Sequence, residues 1–129
     1  MKLNPDCIRD ILLTVEEECG YNKPWIYYCD GCQPELLSHY TSDEISYHII
    51  QCAKSELIDG LKCYDSGESL FISDLTPEGH KLIANIRSDN NWNKTKSILK
   101  NVGSESLDTI KQVATGVITS LIQAQFLPK

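Results

Sequence analysis

Two cysteines stand with two residues between them in Cys29-Asp30-Gly31-Cys32. A turn of this spacing presents two thiolates to one tetrahedral ion, so zinc is the metal it could hold. A structural zinc needs two further ligands. His39, His48, Cys52 and Cys63 are available, but none of them forms a second paired knuckle. A redox pair needs the same motif at a helix N-terminus behind a βαβ strand, where the thiol pKa falls. Pro34 follows and a helix can start there, yet no βαβ pattern surrounds it. The expected cofactor is therefore none, with zinc at Cys29 and Cys32 as the alternative. Cys7 and Cys52 sit on apolar helix faces and read as reduced core fillers.

The three histidines do not build a catalytic pair. His39 and His48 flank one turn, but no serine, cysteine or carboxylate has nucleophile–base spacing with them. His80 follows Gly79 and reads as half-buried against the hairpin before it. No phosphate-cradling glycine loop and no metalloprotease helix motif is present. The reading is a protein that is not an enzyme.

Tyrosines and carboxylates carry the remaining chemistry. Tyr27, Tyr28, Tyr40, Tyr47 and Tyr64 alternate along the chain with Asp30, Glu35, Asp43, Glu44, Asp59, Asp65 and Glu68. Tyrosine offers contact area, few rotatable bonds and a polar tip, which suits protein interfaces. Residues 1–75 hold five basic and fourteen acidic side chains, a net −9, and residues 76–129 hold seven and four, a net +3. An acidic face speeds encounter with a positive partner. A nucleic-acid footprint should instead be basic. The expected partner-binding residues are Tyr27, Tyr28, Asp43, Glu44, Tyr47, Asp65 and Glu68, and the expected partner is a basic host protein. DNA is the alternative partner, met by Tyr47, Gln51, Lys54 and Lys62, or on another face by Arg87, Lys94, Lys96 and Lys100.

The elements that position these residues follow from periodicity and punctuation. Asn4 and Pro5 start a first helix to Cys19, with Ile8, Ile11, Leu12 and Val15 inward and Gly20 as its stop. Trp25 to Tyr28 favours a short strand. Pro34 to Tyr40 reads as a short second helix with Leu36 and Leu37 inward. Thr41 and Glu44 form a capping box for a third helix, Asp43 to Ser55, which buries Ile45, Ile49, Cys52 and His48. Leu57 to Tyr64 and Leu70 to Leu75 are two wing strands joined by Asp65-Ser66-Gly67-Glu68. Thr76 caps a fourth helix that starts at Pro77. Asp89-Asn90-Asn91 breaks the pattern before a fifth helix to Val102, and Gly103-Ser104 stops it and caps the next. The last helix, Glu105 to Phe126, carries the stripe Leu107, Ile110, Ala114, Val117, Ile118, Leu121 and Ile122. The fold class is α+β, a winged helix-turn-helix over residues 1–89. Residues 90–129 are a helical extension that packs on it or forms a dimer seam through Glu105–Phe126, so the protein is a monomer or homodimer.

No apolar run is long enough to span a membrane. The start, Met1-Lys2-Leu3-Asn4-Pro5-Asp6, lacks the apolar block of a secretory signal, so a cytoplasmic location is expected.

Three stretches resemble an uncharacterised phage and prophage family of small winged-helix proteins, a domain of unknown function. They are the opening from Met1 to Leu13, Ile45-Ser46-Tyr47-His48-Ile49, and Asp74-Leu75-Thr76-Pro77-Glu78-Gly79-His80. The ending, with Trp92, Lys94, Thr95 and a long terminal helix, is similar too. The resemblance implies a winged-helix fold and a mobile-element origin, and it leaves Cys29 and Cys32 outside the shared pattern. Together with the acidic half of the chain, such an origin leads to the expected function. The chain binds a protein and inhibits a host nucleic-acid-binding or defence factor of CRISPR type, with a DNA-binding transcription regulator as the alternative.

Overall fold

The computed structural model describes residues 1–127; the last two residues of the expected extension lie outside the described residues. The chain divides into two compact units, Asp6–His80 and Met1–Pro5 with the residues from Lys81 on. The expected boundary stands at residue 89, whereas the units part inside a helix, after its first turn.

The first unit is built from α1 (Pro5–Glu18), β1 (Trp25–Tyr28), a 3-10 turn (Glu35–Leu37), α2 (Ser42–Lys54), β2 (Ile58–Asp59), β3 (Lys62–Tyr64), β4 (Ser69–Ile72) and β5 (Asp74–Leu75). Ile8, Ile11, Leu12 and Val15 recur at helical spacing and are buried, so α1 turns one face inward. Thr14 is buried beside them and spends its hydroxyl on the Asp10 carbonyl at 2.7 Å. The capping box holds as read: Thr41 Oγ1 accepts from the Glu44 N–H and Glu44 Oε1 accepts from the Thr41 N–H, both at 3.1 Å. Behind it Ile45, His48, Ile49 and Cys52 are buried. Burial pushes the Cys7 thiol up to about 12 and raises that of Cys52 as well, which keeps both protonated in the core.

Residues 57–75 depart from the two continuous strands expected. Each breaks once, and the pieces join two antiparallel sheets, one ordered β1-β4-β3 and one pairing β2 with β5. The break falls at Gly60, whose φ is +68°. A Cβ there would overlap the Ser73 hydroxyl and lie 2.8 Å from the Ser73 Cβ. Only glycine lets the strands cross this tightly, with the Ser73 N–H donating to the Asp59 carbonyl at 3.0 Å. The short helix at Pro34 is a single 3-10 turn. Leu37 is buried, but Leu36 is 42% exposed rather than inward, because three residues cannot turn two neighbours to one side.

α3 (Pro77–Ile86) opens at the end of the first unit. Thr76 Oγ1 accepts from the Gly79 N–H at 3.0 Å and donates to the Glu56 carbonyl at 2.6 Å, so one side chain caps the helix and ties it to the chain after α2. The second unit continues with α4 (Asp89–Val102) and α5 (Leu107–Phe126). Asp89-Asn90-Asn91 is the first turn of α4 and not a break, since Ser88 caps it by accepting from the Asn91 N–H at 3.1 Å. Gly103 ends α4 at φ +77°, and Ser106, two residues past the expected Ser104, caps α5. Trp92, Thr95 and Leu99 of α4 and Leu107, Ile110, Ala114 and Val117 of α5 are buried, while Leu121 is half-buried and Ile122 exposed. The described chain is thus α+β, as its periodicities require. No helix among the described residues is long and apolar enough to cross a membrane.

Candidate functional site

The alternation along β1 decides which tyrosines reach the surface. Trp25 and Tyr27 face inward while Ile26 and Tyr28 face out. Tyr27 is 2% exposed, so this expected partner contact belongs to the core. Burial raises its phenol pKa, and Ser42 and Gln33 beside it pull the other way. Tyr28 is 52% exposed. Tyr28 and Tyr64 both stand in register with Ser69, one on each side, and therefore share the outer face of the sheet. Ile26, Phe71 and Lys62 form the next row, with the Lys62 Nζ 5.6 Å from the centre of the Phe71 ring. The partnership of Tyr64 with Tyr28 depends on strand register, which no local spacing encodes.

Cys29 ties three elements together. Its N–H donates to the Glu68 carbonyl at 2.9 Å, and its thiol donates to the Gly67 carbonyl at 3.4 Å. Its sulfur also lies 3.5 Å from the Ser46 hydroxyl, and Ser42 Oγ donates to its carbonyl at 2.7 Å. The end of β1, the β3–β4 turn and the first turns of α2 thus meet at one residue. Neighbouring side chains are carried with them: Tyr28 and Asp30 beside Cys29, Asp43 and Glu44 beside Ser42, Tyr47 beside Ser46, and Asp65 and Glu68 in the turn. Asp30, Asp43, Asp65 and Glu68 are exposed. Glu44 is half-buried and its carboxylate is committed to the capping box. Asp65 and Ser66 hold φ of +52° and +58°, a tight turn that projects its acidic ends.

The histidines are apart in role. His48 is buried; its Nδ1 donates to the Glu44 carbonyl at 2.6 Å, and Tyr47 meets its ring edge-on at 5.3 Å. His39 is exposed and stacks on Tyr40 at 4.1 Å. His80 is exposed rather than half-buried against the hairpin. A further polar pair escaped the sequence reading: Tyr40 Oη donates to Asp10 Oδ2 at 2.8 Å. Burial raises the Asp10 carboxyl pKa, and the Tyr40 bond offsets part of the rise. Thirty residues separate the two, so no local spacing could announce them.

Among the described residues no group of three or more His, Cys, Asp or Glu could hold a metal ion. Cys29 instead uses its sulfur in the tie, and Cys32 is an exposed free thiol. Of the residues expected to meet DNA, Tyr47 and Gln51 are half-buried, and Lys54 and Lys62 are exposed. Arg87, Lys94 and Lys100 are exposed in the second unit, where Lys96 Nζ lies 5.7 Å from the centre of the Trp92 ring.

No solved structure matches the chain. It is similar to an uncharacterised protein of Haemophilus influenzae, 33% identical over 124 residues that cover 95% of this chain and 99% of that protein. The model of a hypothetical-protein family, DUF2513, matches residues 2–106, which take in every element up to the end of α4. The chain belongs to this family, DUF2513.

Proposed function

We propose that this chain is a non-enzymatic, winged-helix binding protein that docks on a basic protein through the acidic, tyrosine-bearing face around Cys29. The observation that carries the reading is the Cys29 tie, which gathers Asp30, Asp43, Asp65 and Glu68 with Tyr28 and Tyr47 at one end of the first unit. The element order supports the winged-helix part: helix, strand, helical turn, helix, then a hairpin, with the sheet ordered β1-β4-β3. In that frame α2 is the helix that would enter a major groove and the β3–β4 turn is the wing tip. Both carry carboxylates where phosphates would approach, within a screening length of any duplex. The same charges attract a basic protein surface. A face of this kind can occupy the nucleic-acid channel of a host factor, including a CRISPR-type nuclease, which is the action a phage or prophage protein would need.

The test compares the tagged chain with a variant carrying Asp43→Asn, Asp65→Asn and Glu68→Gln. Asparagine tolerates the positive φ at 65, and Glu44 stays to keep the cap. From host lysate at low salt, the tagged chain should retain basic proteins that salt releases and that the variant does not hold. Equal retention by both overturns the proposal. So does tight, sequence-selective binding of a duplex by the unmodified chain in a gel shift.

A further inference from the structure

β1 is the outer strand of its sheet, so one of its edges has no strand beside it. The Cys29 N–H donates to the Glu68 carbonyl, one step beyond the pair Tyr28 and Ser69. Bonded and unbonded pairs alternate in an antiparallel ladder. Trp25, Tyr27 and Cys29 therefore bond to β4, and Ile26 and Tyr28 turn their N–H and C=O groups to the open edge. The Tyr28 carbonyl is taken by the Gly31 N–H at 3.2 Å. The Ile26 N–H and C=O and the Tyr28 N–H face outward, at residues that are 40% and 52% exposed.

This edge lies along a cleft of about 340 Å³ that is also lined by Glu18, Gln33 and Pro34. Tyr27 and Gln33 border the cleft, with Gln33 beside the Tyr27 phenol. Carboxylates flank the strand: Glu18 lines the cleft, and Asp30 follows Cys29 at the strand's end.

We infer that the open edge of β1 takes an extended, basic peptide segment of the partner as an added strand. Backbone N–H and C=O groups of the segment pair with Ile26 and Tyr28, and its lysine or arginine side chains meet Glu18, Asp30 and the exposed Tyr28 ring. The inference rests on the reading that the partner is a basic protein, and it says how a segment of that protein is held.

The probe is a synthetic peptide of alternating lysine and valine, set against its fully N-methylated analogue, which keeps the charge and loses every N–H. On binding, the first peptide should slow amide hydrogen exchange at Ile26 and Tyr28. The analogue should bind at least about tenfold more weakly, the equivalent of one or two lost hydrogen bonds. Ile26→Pro deletes an edge N–H and no bond to β4, and should weaken the first peptide similarly. Equal affinity for the two peptides, unchanged exchange at Ile26 on saturation, or no binding of the first peptide at low salt overturns the inference. The comparison of peptides on the unmodified chain decides the matter even where the proline variant does not fold. Equal affinity that falls in the Asp43→Asn, Asp65→Asn, Glu68→Gln variant would remove the edge and leave the acidic face standing.

Discussion

Two helical glycines should respond to alanine in opposite directions. Gly79 lies in the first turn of α3 and is buried against the backbone of Leu57. A Cβ at this position overlaps the Leu57 carbonyl oxygen and reaches 3.1 Å from its carbon and 3.3 Å from Leu75 Cδ2. The oxygen cannot swing away freely, because it accepts the Thr76 N–H at 3.1 Å. Moving the helix instead strains the Thr76 bond to the Glu56 carbonyl. Overpacking of this kind costs about 1–3 kcal/mol, and losing one of these bonds about 1 kcal/mol more. Alanine's better helix propensity returns up to about 1 kcal/mol. The net expectation for Gly79→Ala is a loss of about 2 kcal/mol. Gly116 sits mid-way along α5, and a Cβ there meets nothing within 4 Å. Gly116→Ala should gain up to about 1 kcal/mol from propensity alone. Urea unfolding followed by circular dichroism reads both signs in the same protein. A Gly79→Ala variant as stable as the unmodified chain would refute the close-approach argument. A destabilised Gly116→Ala variant would refute the claim that α5 is open there.

Three further outcomes follow from the fold. Thr41→Ala removes the hydroxyl that accepts from the Glu44 N–H, leaves the backbone N–H of residue 41 to donate to Glu44 Oε1, and should cost about 1 kcal/mol, with Thr41→Ser restoring most of it in the same unfolding assay; no loss on Thr41→Ala would show that the Thr41 hydroxyl contributes nothing. The Asp10 carboxyl is raised in the folded chain, so its neutral form is the one folding favours. Its contribution is fully present at pH below the ordinary carboxyl value of 3.8 and is lost as pH climbs through the raised folded value. Asp10→Asn, which can still accept from Tyr40, should therefore melt higher than the unmodified chain near neutral pH, with the difference closing in acid; a difference that widens in acid contradicts the sign. A maleimide should label exposed Cys32 and Cys63 in the native protein and reach Cys7 and Cys52 only on unfolding, because those two are buried with raised thiol pKa values. Native-state labelling of Cys7 or Cys52, read by peptide mapping, would place them wrongly.

What the sequence disclosed is local chemistry, and what it concealed is decided by register and approach. The caps at Thr41 and Thr76 and the stop at Gly103 depend on side chains within three or four residues of a helix end, so spacing alone identifies them. Ser88 is as local, but the run Asp89-Asn90-Asn91 masked it, because asparagine favours turns and caps as readily as a first helical turn. Tyr27 shows the cost of treating aromatics as a group. Strict alternation from buried Trp25 makes Tyr27 inward and Tyr28 outward, and period two was the available signal. The break in these strands had no such signal, since Gly60 is required by Ser73, thirteen residues away, and not by its neighbours. Gly79 carries the same lesson more sharply. In Leu75-Thr76-Pro77-Glu78-Gly79-His80 the capping threonine and first-turn proline explain themselves from sequence, while the glycine looks like a weak helix residue. It is there because the first turn of α3 lies against the Leu57 carbonyl, which no pattern along the chain encodes. The acidic face follows the same rule. Its carboxylates are visible as a count over residues 1–75, but their meeting at one end depends on Cys29, the residue whose C-x-x-C spacing offered zinc as the alternative and whose bonds join a strand, a turn and a helix.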